Sequence, residues 1–330
     1  EIPYSLHLLF LPGGLLDIAD NVRLNLQCPV SDWPRTQIFA GNGYPCFDYT
    51  SGCSEIYPQW WGALGNERHD DSWAIIRATE SGLRSARQCP VFLSAGIYLA
   101  NIILPDQPAE VGEYSVTIKG AGRDSAYIRR ASENLPAIAA NTTPDRSPNR
   151  IINIWSMTIV SLPPGIVSTT SNVPIISLSA PRYNTVAPRI NGGLKDVRVM
   201  GAAGGPGRVP ASETLIDITG GINFLIENVE TTGGRQSLHI KDSSFTYVTN
   251  FHAWHNTTNG IWVENGGLNI FVNARVEDYI EDSFNDIFGQ KMTTALRLTN
   301  TSFNQFLAFS NEGKPGVHAA VLIEGTGDGE

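Results

Sequence analysis

Four residues that can exchange protons lie in similar short segments between residues 215 and 324. Asp217, His239, Lys241 and Glu264 each take the third or fifth place of a pentapeptide in which apolar and polar residues alternate. Carboxylates, imidazoles and amines are the side chains that enzymes use as general acids and bases. If these pentapeptides lie side by side, the sequence predicts an acid–base site.

The pentapeptides must be strands of one repeating unit. Alternation with a period of two is typical of a strand with one buried face. The apolar markers of the first strand are separated by 22, 23 and 35 residues, and small or amide residues that end a second strand keep the same three steps. A period this short predicts coils of a solenoid. The two series are Ile216, Leu238, Ile261 and Leu296, and Asn228, Asn250, Asn273 and Ala308.

Stacked coils turn residues that are distant in sequence into neighbours. If the first series faces inward, the residues that follow it form an outward column, and the residues two places further on form a second column. The three asparagines of the second series are expected to form an inward ladder of amides at a bend. The first column is Asp217, His239, Trp262 and Arg297, and the second is Thr219, Lys241, Glu264 and Thr299.

Three functions remain open for these columns. In a hydrolase, Asp217 and Glu264 would be acid and base, because strands two coils apart are about 10 Å apart and inverting glycosidases hold carboxyl groups about 6.5 to 9.5 Å apart. Trp262 would then stack on a sugar ring. In a lyase, Arg297 or Lys241 would neutralise a uronic acid while His239 or Lys241 removed a proton. As a binding face, the same residues would hold a glycan without cleaving it.

Two further groups lie near the second strands. His252, Trp254 and Arg275 form a weaker patch of substrate-binding candidates. The 35-residue coil then carries a dense run of carboxylates, in which Glu277, Asp278 and Asp282 are weak candidates for binding Ca²⁺. A short amphipathic helix with a solvated acidic face explains this run as well, so no cofactor is required.

A resemblance to a known superfamily rests on three segments between about residues 55 and 130. They are Trp61-Gly-Ala-Leu-Gly-Asn-Glu-Arg-His-Asp-Asp-Ser-Trp-Ala-Ile75, Val91-Phe-Leu-Ser-Ala-Gly-Ile-Tyr98 and Lys119-Gly-Ala-Gly-Arg123. In kind and order they resemble the N-terminal signature of the pectate-lyase-like superfamily. The resemblance implies a right-handed parallel β-helix. It leaves the reaction open, because the superfamily includes lyases, hydrolases, epimerases and phage tailspike depolymerases. The motifs typical of polygalacturonases and the aspartate cluster of calcium-dependent pectate lyases are missing.

The resembling segments also predict a cap. Asp70 and Asp71 precede a helical pattern, so their carboxylates are expected to cap the amides of its first turn. The helix should cover the open end of the solenoid. Trp60, Trp61 and Trp73 are expected to pack in this cap rather than bind sugars.

Loops and cysteines give weaker expectations. Loops between residues 141 and 212 carry arginines that could form a positive groove wall for an acidic glycan, namely Arg182, Arg189, Arg198 and Arg208, beside Tyr183. Cys28, Cys46, Cys53 and Cys89 could form disulfides, with Cys46–Cys53 favoured, or remain thiols. Their spacing does not fit a zinc site.

Composition limits the partners. The formal charge of −9 disfavours nucleic acid, and no apolar run is long enough to span a membrane. We expect an all-β chain with an N-terminal cap of strands and loops at residues 1–56 and one continuous solenoid at residues 57–330. It is expected to be a secreted or virion-surface enzyme that degrades an acidic polysaccharide. A non-catalytic glycan-binding or tailspike module is the alternative, and the resemblance suggests a homotrimer.

Overall fold

The fold is a right-handed parallel β-helix with one helix in its N-terminal cap. The computed structural model describes residues 1–31, 36–108, 111, 113–140, 149–161, 172–179, 189–201, 214–256, 258–277, 294–312 and 319–325. Within these ranges every ladder between named strands is parallel, and the strands form two long sheets and three N-terminal pairs. This is the fold that the repeat and the resemblance predicted.

The first long sheet, called sheet 1, contains one short strand from each of eight successive coils. Its strands neighbour one another in chain order, as stacked coils require. They are β10 (Ile102–Leu104), β13 (Ile138–Ala140), β15 (Ile176–Ser179), β17 (Thr214–Thr219), β20 (Gln236–Lys241), β22 (Asn259–Glu264), β24 (Thr294–Thr299) and β27 (Ala319–Glu324).

The second long sheet, called sheet 2, contains thirteen strands and bends within each coil. Long strands β14 and β16 each pair with two shorter strands of a neighbouring coil. Its members are β7 (Asn66–Asp70), β8 (Val91–Leu93), β9 (Gly96–Leu99), β11 (Tyr114–Gly120), β12 (Ala126–Arg129), β14 (Asn149–Val160), β16 (Arg189–Met200), β18 (Gly221–Glu227), β19 (Glu230–Thr232), β21 (Tyr247–Trp254), β23 (Ile270–Glu277), β25 (Gln305–Leu307) and β26 (Ser310–Glu312).

The N-terminal strands also pair in parallel, as the alternation of residues 6–30 predicted. Each early strand pairs with one that lies about 20 residues later in the chain. Their bounds are β1 (Leu8–Leu9), β2 (Leu16–Asp17), β3 (Arg23–Leu26), β4 (Val30–Ser31), β5 (Phe39–Ala40) and β6 (Tyr44–Phe47). One cluster of buried apolar side chains extends from Phe10 to Leu298, so the N-terminal strands and the solenoid share a core. The division at residue 56 stays a prediction.

The predicted register of sheet 1 is confirmed. Ile216 lies opposite Leu238, Leu238 opposite Ile261, and Ile261 opposite Leu296, and all four side chains are buried. The weaker markers Ile138 and Ile176 continue the same row upstream. The buried positions therefore pile into one core, which fixes the outward position of the residues between them.

The corners of the coils are left-handed residues, and here one prediction was wrong. Asn228, Asn250 and Asn273 have φ of 53°, 52° and 53°, and each amide donates to the preceding side chain at 2.8 to 3.0 Å, ending on Asp196. The predicted ladder exists. It does not face inward, because a left-handed residue interrupts the strand alternation and turns its side chain outward, where Asn250 and Asn273 are exposed.

Helix α1 (Ser72–Arg84) packs between β6 on one side and β8 and β10 on the other, so it covers the N-terminal end of the solenoid as predicted. Its capping differs from the prediction. Asp70 accepts hydrogen bonds from the backbone and hydroxyl of Ser72, whereas Asp71 makes no side-chain bond to the helix. The fully buried carboxylate of Asp71 instead accepts from the amides of Leu64 and Gly65, at 2.8 and 3.0 Å.

The aromatic residues of the cap follow the prediction in part. Trp60 and Trp61 are buried and pack against Phe39, whereas Trp73 is 45% exposed and so does not belong to the packed cap. No helix within the described ranges has the length and apolar character that crossing a bilayer demands.

Candidate functional site

The outward columns of sheet 1 are formed as predicted. Asp217 lies opposite His239, His239 opposite Trp262, and Trp262 opposite Arg297. The neighbouring column brings Lys241 opposite Glu264 in the same way. Parallel pairing without a register shift keeps each side chain about 4.8 Å from its counterpart, so residues more than 20 positions apart in sequence touch.

His239 bridges the two carboxylates that the sequence singled out. Its Nδ1 lies 2.9 Å from Oδ1 of Asp217, and its Nε2 lies 3.2 Å from Oε2 of Glu264. The side chain of His239 is only 13% exposed, and those of Asp217 and Glu264 are 23% and 19% exposed. An imidazole therefore fills the space between the carboxylates, where the predicted hydrolytic site would have placed a water molecule.

Lys241 completes this group, which we call the acid–base cluster (Asp217, His239, Lys241 and Glu264). Its Nζ donates to Oε1 of Glu264 at 2.9 Å. Partial burial alone would raise the pKa of Glu264, but the hydrogen bonds and charges of Lys241 and His239 together lower it below its ordinary value. The hydrogen bond to Glu264 raises the pKa of Lys241. Glu264 is thus held as a carboxylate and Lys241 as an ammonium ion.

Both faces of Trp262 are covered in this arrangement, so the predicted stacking on a sugar would require one of its neighbours to move. The ring of His239 stacks on it from the preceding coil at a centroid distance of 4.4 Å, and the guanidinium of Arg297 lies over it from the following coil at 4.8 Å. Its Nε1 donates to Oγ1 of Thr299 at 3.1 Å. Both faces of the indole are covered, because neighbouring coils are spaced at about the thickness of one stacked ring.

One member of the site was missed in the sequence. Nε of Arg297 donates to Oε2 of Glu324 at 2.8 Å, and the hydroxyl of Thr299 donates to the same oxygen. Glu324 lies opposite Thr299 in the second column. The fifth pentapeptide carries the signal, because extending the column by one coil reaches this glutamate.

His252, Trp254 and Arg275 form a separate patch on sheet 2. The rings of His252 and Trp254 pack at a centroid distance of 4.4 Å, and Nε2 of His252 lies 3.2 Å from Oε1 of Glu277. Arg275 pairs with the same carboxylate. Because these residues project from a different sheet, the structure does not join them to the acid–base cluster.

The predicted metal candidates are only partly described. Glu277 is 3% exposed and its carboxylate lies beside the side chains of His252 and Arg275, while Asp278 and Asp282 lie outside the described residues. Within the described ranges, no three or more histidine, cysteine or acidic residues come together as metal ligands would.

Arg198 was predicted to form part of a positive groove wall, and its surroundings are acidic. Arg198 lies between Glu230 and Asp124, at 3.2 and 3.0 Å. Its charge is therefore neutralised locally, on sheet 2. Arg189 begins β16, and the remaining members, Arg182, Tyr183 and Arg208, lie outside the described residues.

Comparison with known proteins gives the fold an independent test. The sequence matches no protein-family model and no curated protein. The solved structure of the pre-mature gene product 12 of bacteriophage phi29 is similar, with a TM-score of 0.51 and 18% identity over 77% of this chain and 33% of the phage chain. The structure of an N-terminal fragment of the same phage protein is similar with a TM-score of 0.50. The two sequences are 17% identical, and the match covers 82% of this chain and 46% of the fragment. The chain shares the fold of this phage protein. It spans less than half of either matched chain.

Proposed function

We propose that the protein binds a polysaccharide on the outer face of sheet 1 and hydrolyses it at the acid–base cluster. The observation that carries this proposal is the bridging imidazole of His239, at 2.9 Å from Asp217 and 3.2 Å from Glu264. An imidazole between two carboxylates, on the outer wall of a solenoid, brings together side chains that can act as base and acid in glycosidic cleavage.

In the proposed reaction Glu264 is the base and His239 is the acid. Glu264, held ionised by Lys241 and His239, takes a proton from the attacking water. The water oxygen bonds to the anomeric carbon while the glycosidic bond breaks. His239, oriented by Asp217, gives its proton to the departing oxygen. One carboxylate, Glu264, thus acts as the base, and the other, Asp217, orients the imidazole that acts as the acid.

Elimination fits the contacts less well. A lyase needs a cation for the uronic acid carboxylate of the substrate. Both cations of the site already face carboxylates, Lys241 on Glu264 and Arg297 on Glu324. A substrate carboxylate would have to displace one of these partners before it could be neutralised.

A non-catalytic glycan-binding face is the second candidate, and one observation favours it. Trp262 is held between His239 and Arg297, and the charges beside it are paired with one another. On such a wall the side chains are held in place by one another, and a glycan chain would contact the edges of these side chains without displacing them.

The experiment offers the protein a panel of neutral and acidic polysaccharides. New reducing ends without ultraviolet absorbance support hydrolysis, reducing ends with absorbance show elimination, and retained binding without either shows a binding module. Glu264→Gln and His239→Gln should each lower the rate by about 100-fold or more. His252→Gln, in the sheet 2 patch, is the matched control and should leave it unchanged. Activity that survives the first two substitutions and fails in the control would move the site to sheet 2.

The proposal extends to where and how the protein works. A polysaccharide substrate is met outside the cell, so we place the protein in the secreted or virion-surface class, and its fold is that of a phage protein. We expect association as a homotrimer, which light scattering on the purified chain tests. Cleavage is expected to persist in the presence of a chelator of Ca²⁺, because the cluster itself supplies acid and base.

A further inference from the structure

Cys53 and Cys89 lie in two segments that the backbone holds side by side. The amide of Ile56 donates to the carbonyl of Pro90 at 2.9 Å, and the amide of Phe92 donates to the carbonyl of Ile56 at 2.8 Å. These bonds form a parallel bridge between Ile56 and Val91. The two cysteines, three and two residues before this bridge, are therefore fixed close to each other.

The side chain of Cys89 interacts with Cys53. Sγ of Cys89 lies 3.4 Å from the carbonyl oxygen of Cys53, and the two side chains share a hydrogen bond. Sγ of Cys53 lies 3.2 Å from the carbonyl of Glu55. All four cysteines of the chain are thiols in this structure.

This contact does not follow the pairing that sequence favoured. Cys46 is buried on β6, with its Sγ 3.7 Å from the carbonyl of Tyr44, while the thiol of Cys53 faces Cys89. A turn that contains Gly52 separates the two residues, so Cys46 is buried on strand β6 whereas Cys53 lies beyond the turn and contacts Cys89.

We propose that Cys53 and Cys89 form a disulfide when the protein meets a disulfide oxidant, and that this bond fastens the N-terminal cap to the first coil of the solenoid. With glutathione disulfide, the thiolate of one cysteine attacks a sulfur of the oxidant and releases one glutathione thiol. The second cysteine then attacks the mixed disulfide and releases the other. Two cysteine thiols are oxidised and one disulfide is reduced.

The environment distinguishes the two sulfurs. The hydrogen bond from Cys53 lowers the pKa of Cys89, with the charge of Arg87 adding to the effect, whereas the same bond and burial raise the pKa of Cys53. Since the thiolate is the nucleophile, Cys89 attacks first and Cys53 completes the bond.

The bond would close a loop of 36 residues that contains the whole of α1. It constrains the unfolded chain, so the oxidised protein should unfold at a higher temperature than the reduced protein. The buried Trp60 and Trp61 lie in the same loop, so this gain should appear in tryptophan fluorescence as well.

The test uses the full chain, folded and treated with glutathione disulfide, then denatured with an alkylating agent and digested for mass spectrometry. We expect one linked peptide pair, Cys53 with Cys89, with Cys28 and Cys46 alkylated. The Tm should rise by several degrees on oxidation. Cys53→Ser should remove both the linked pair and the rise, while Cys46→Ser should keep both.

Two results would overturn the proposal: a linked pair other than Cys53 with Cys89, or four alkylated cysteines after oxidation. Should a serine variant fail to fold, peptide mapping of the unsubstituted chain still decides the question. None of these measurements involves a glycan, so the outcome is separate from that of the polysaccharide assay.

Discussion

At the scale of single residues, His239 links two carboxylates on the outer wall of sheet 1. A neutral imidazole has one N–H donor, yet both ring nitrogens of His239 face carboxylate oxygens. Both contacts are hydrogen bonds only when both nitrogens carry protons. The two carboxylates hold the ring in place, and in the proposed hydrolysis this ring would be the proton donor.

Glu264 gives the first prediction. Its folded-state pKa is lower than the ordinary 4.5, so the unfolded chain binds the proton more readily, and the stabilisation is present above pH 4.5 and disappears as pH falls through the lowered pKa. Glu264→Gln should therefore reduce the free energy of unfolding by about 0.3 to 1 kcal/mol at pH 7 and by less in acid. Urea denaturation at several pH values measures this.

The control for this prediction is Glu113→Gln, at an exposed glutamate just before β11, which should change stability little at any pH. On the alkaline side, Lys241 keeps its proton beyond pH 10.5, because its pKa is raised, so the effect of Glu264→Gln should be constant between neutral pH and about pH 9. An effect equal at pH 3 and pH 7 would show that the ion pair contributes nothing.

At the scale of elements, the entry to α1 depends on two adjacent aspartates with different tasks. Asp71 is fully buried and holds the amides of Leu64 and Gly65, whereas exposed Asp70 bonds to the first residue of the helix. Asp71→Ala leaves these two partly buried donors without their acceptor and should cost about 1 to 3 kcal/mol. Asp70→Ala removes a cap and should cost about 1 kcal/mol. Urea titration of both variants compares them, and equal losses would contradict these roles.

The amide ladder predicts that one substitution will stabilise the protein. Ala308 takes the left-handed corner of the last repeat with φ of 55°, where Asn273 stands one coil earlier. An asparagine there tolerates this conformation and can donate to Oδ1 of Asn273, as Asn273 donates to Asn250. Ala308→Asn should add about 0.5 to 1 kcal/mol to the free energy of unfolding.

Ala308→Asp separates the two causes of this gain. Aspartate also tolerates the left-handed region, but its carboxylate has no N–H to donate. Thermal unfolding at neutral pH should rank Asn above Asp. If both substitutions gave the same gain, the backbone conformation alone would explain it and the ladder would add nothing.

At the scale of the whole molecule, periodicity explains which features the sequence could predict. Ile216 and Leu238 were assigned inward and Asp217 and His239 outward, because one rule covers every residue of a regular strand. The rule fails where the chain leaves the strand. Asn250 was assigned inward, and its left-handed φ turns it outward.

Contacts between side chains were the part that periodicity could not predict. Register places Trp262 beside His239, but only the packed structure shows that rings at the spacing of adjacent coils cover each other. Likewise, two adjacent aspartates look alike in the sequence, and burial alone separates Asp71 from Asp70. The sequence therefore predicted which residues face outward on sheet 1, and the structure was needed to show which of their side chains contact each other.

The last prediction compares how much two isoleucines in one row of sheet 1 contribute to the free energy of unfolding. Ile240 and Ile323 are the same residue type in the same row of sheet 1, yet Ile240 is fully buried and Ile323 is 74% exposed. A solenoid is stabilised by contacts between neighbouring coils, so the cost of a truncated side chain depends on how many coils cover it. Ile240→Ala should cost about 2 to 5 kcal/mol, and Ile323→Ala less than about 0.5 kcal/mol. Urea denaturation of both variants of this chain tests the gradient, and a large loss for Ile323→Ala would show that β27 is covered in solution by an association between copies.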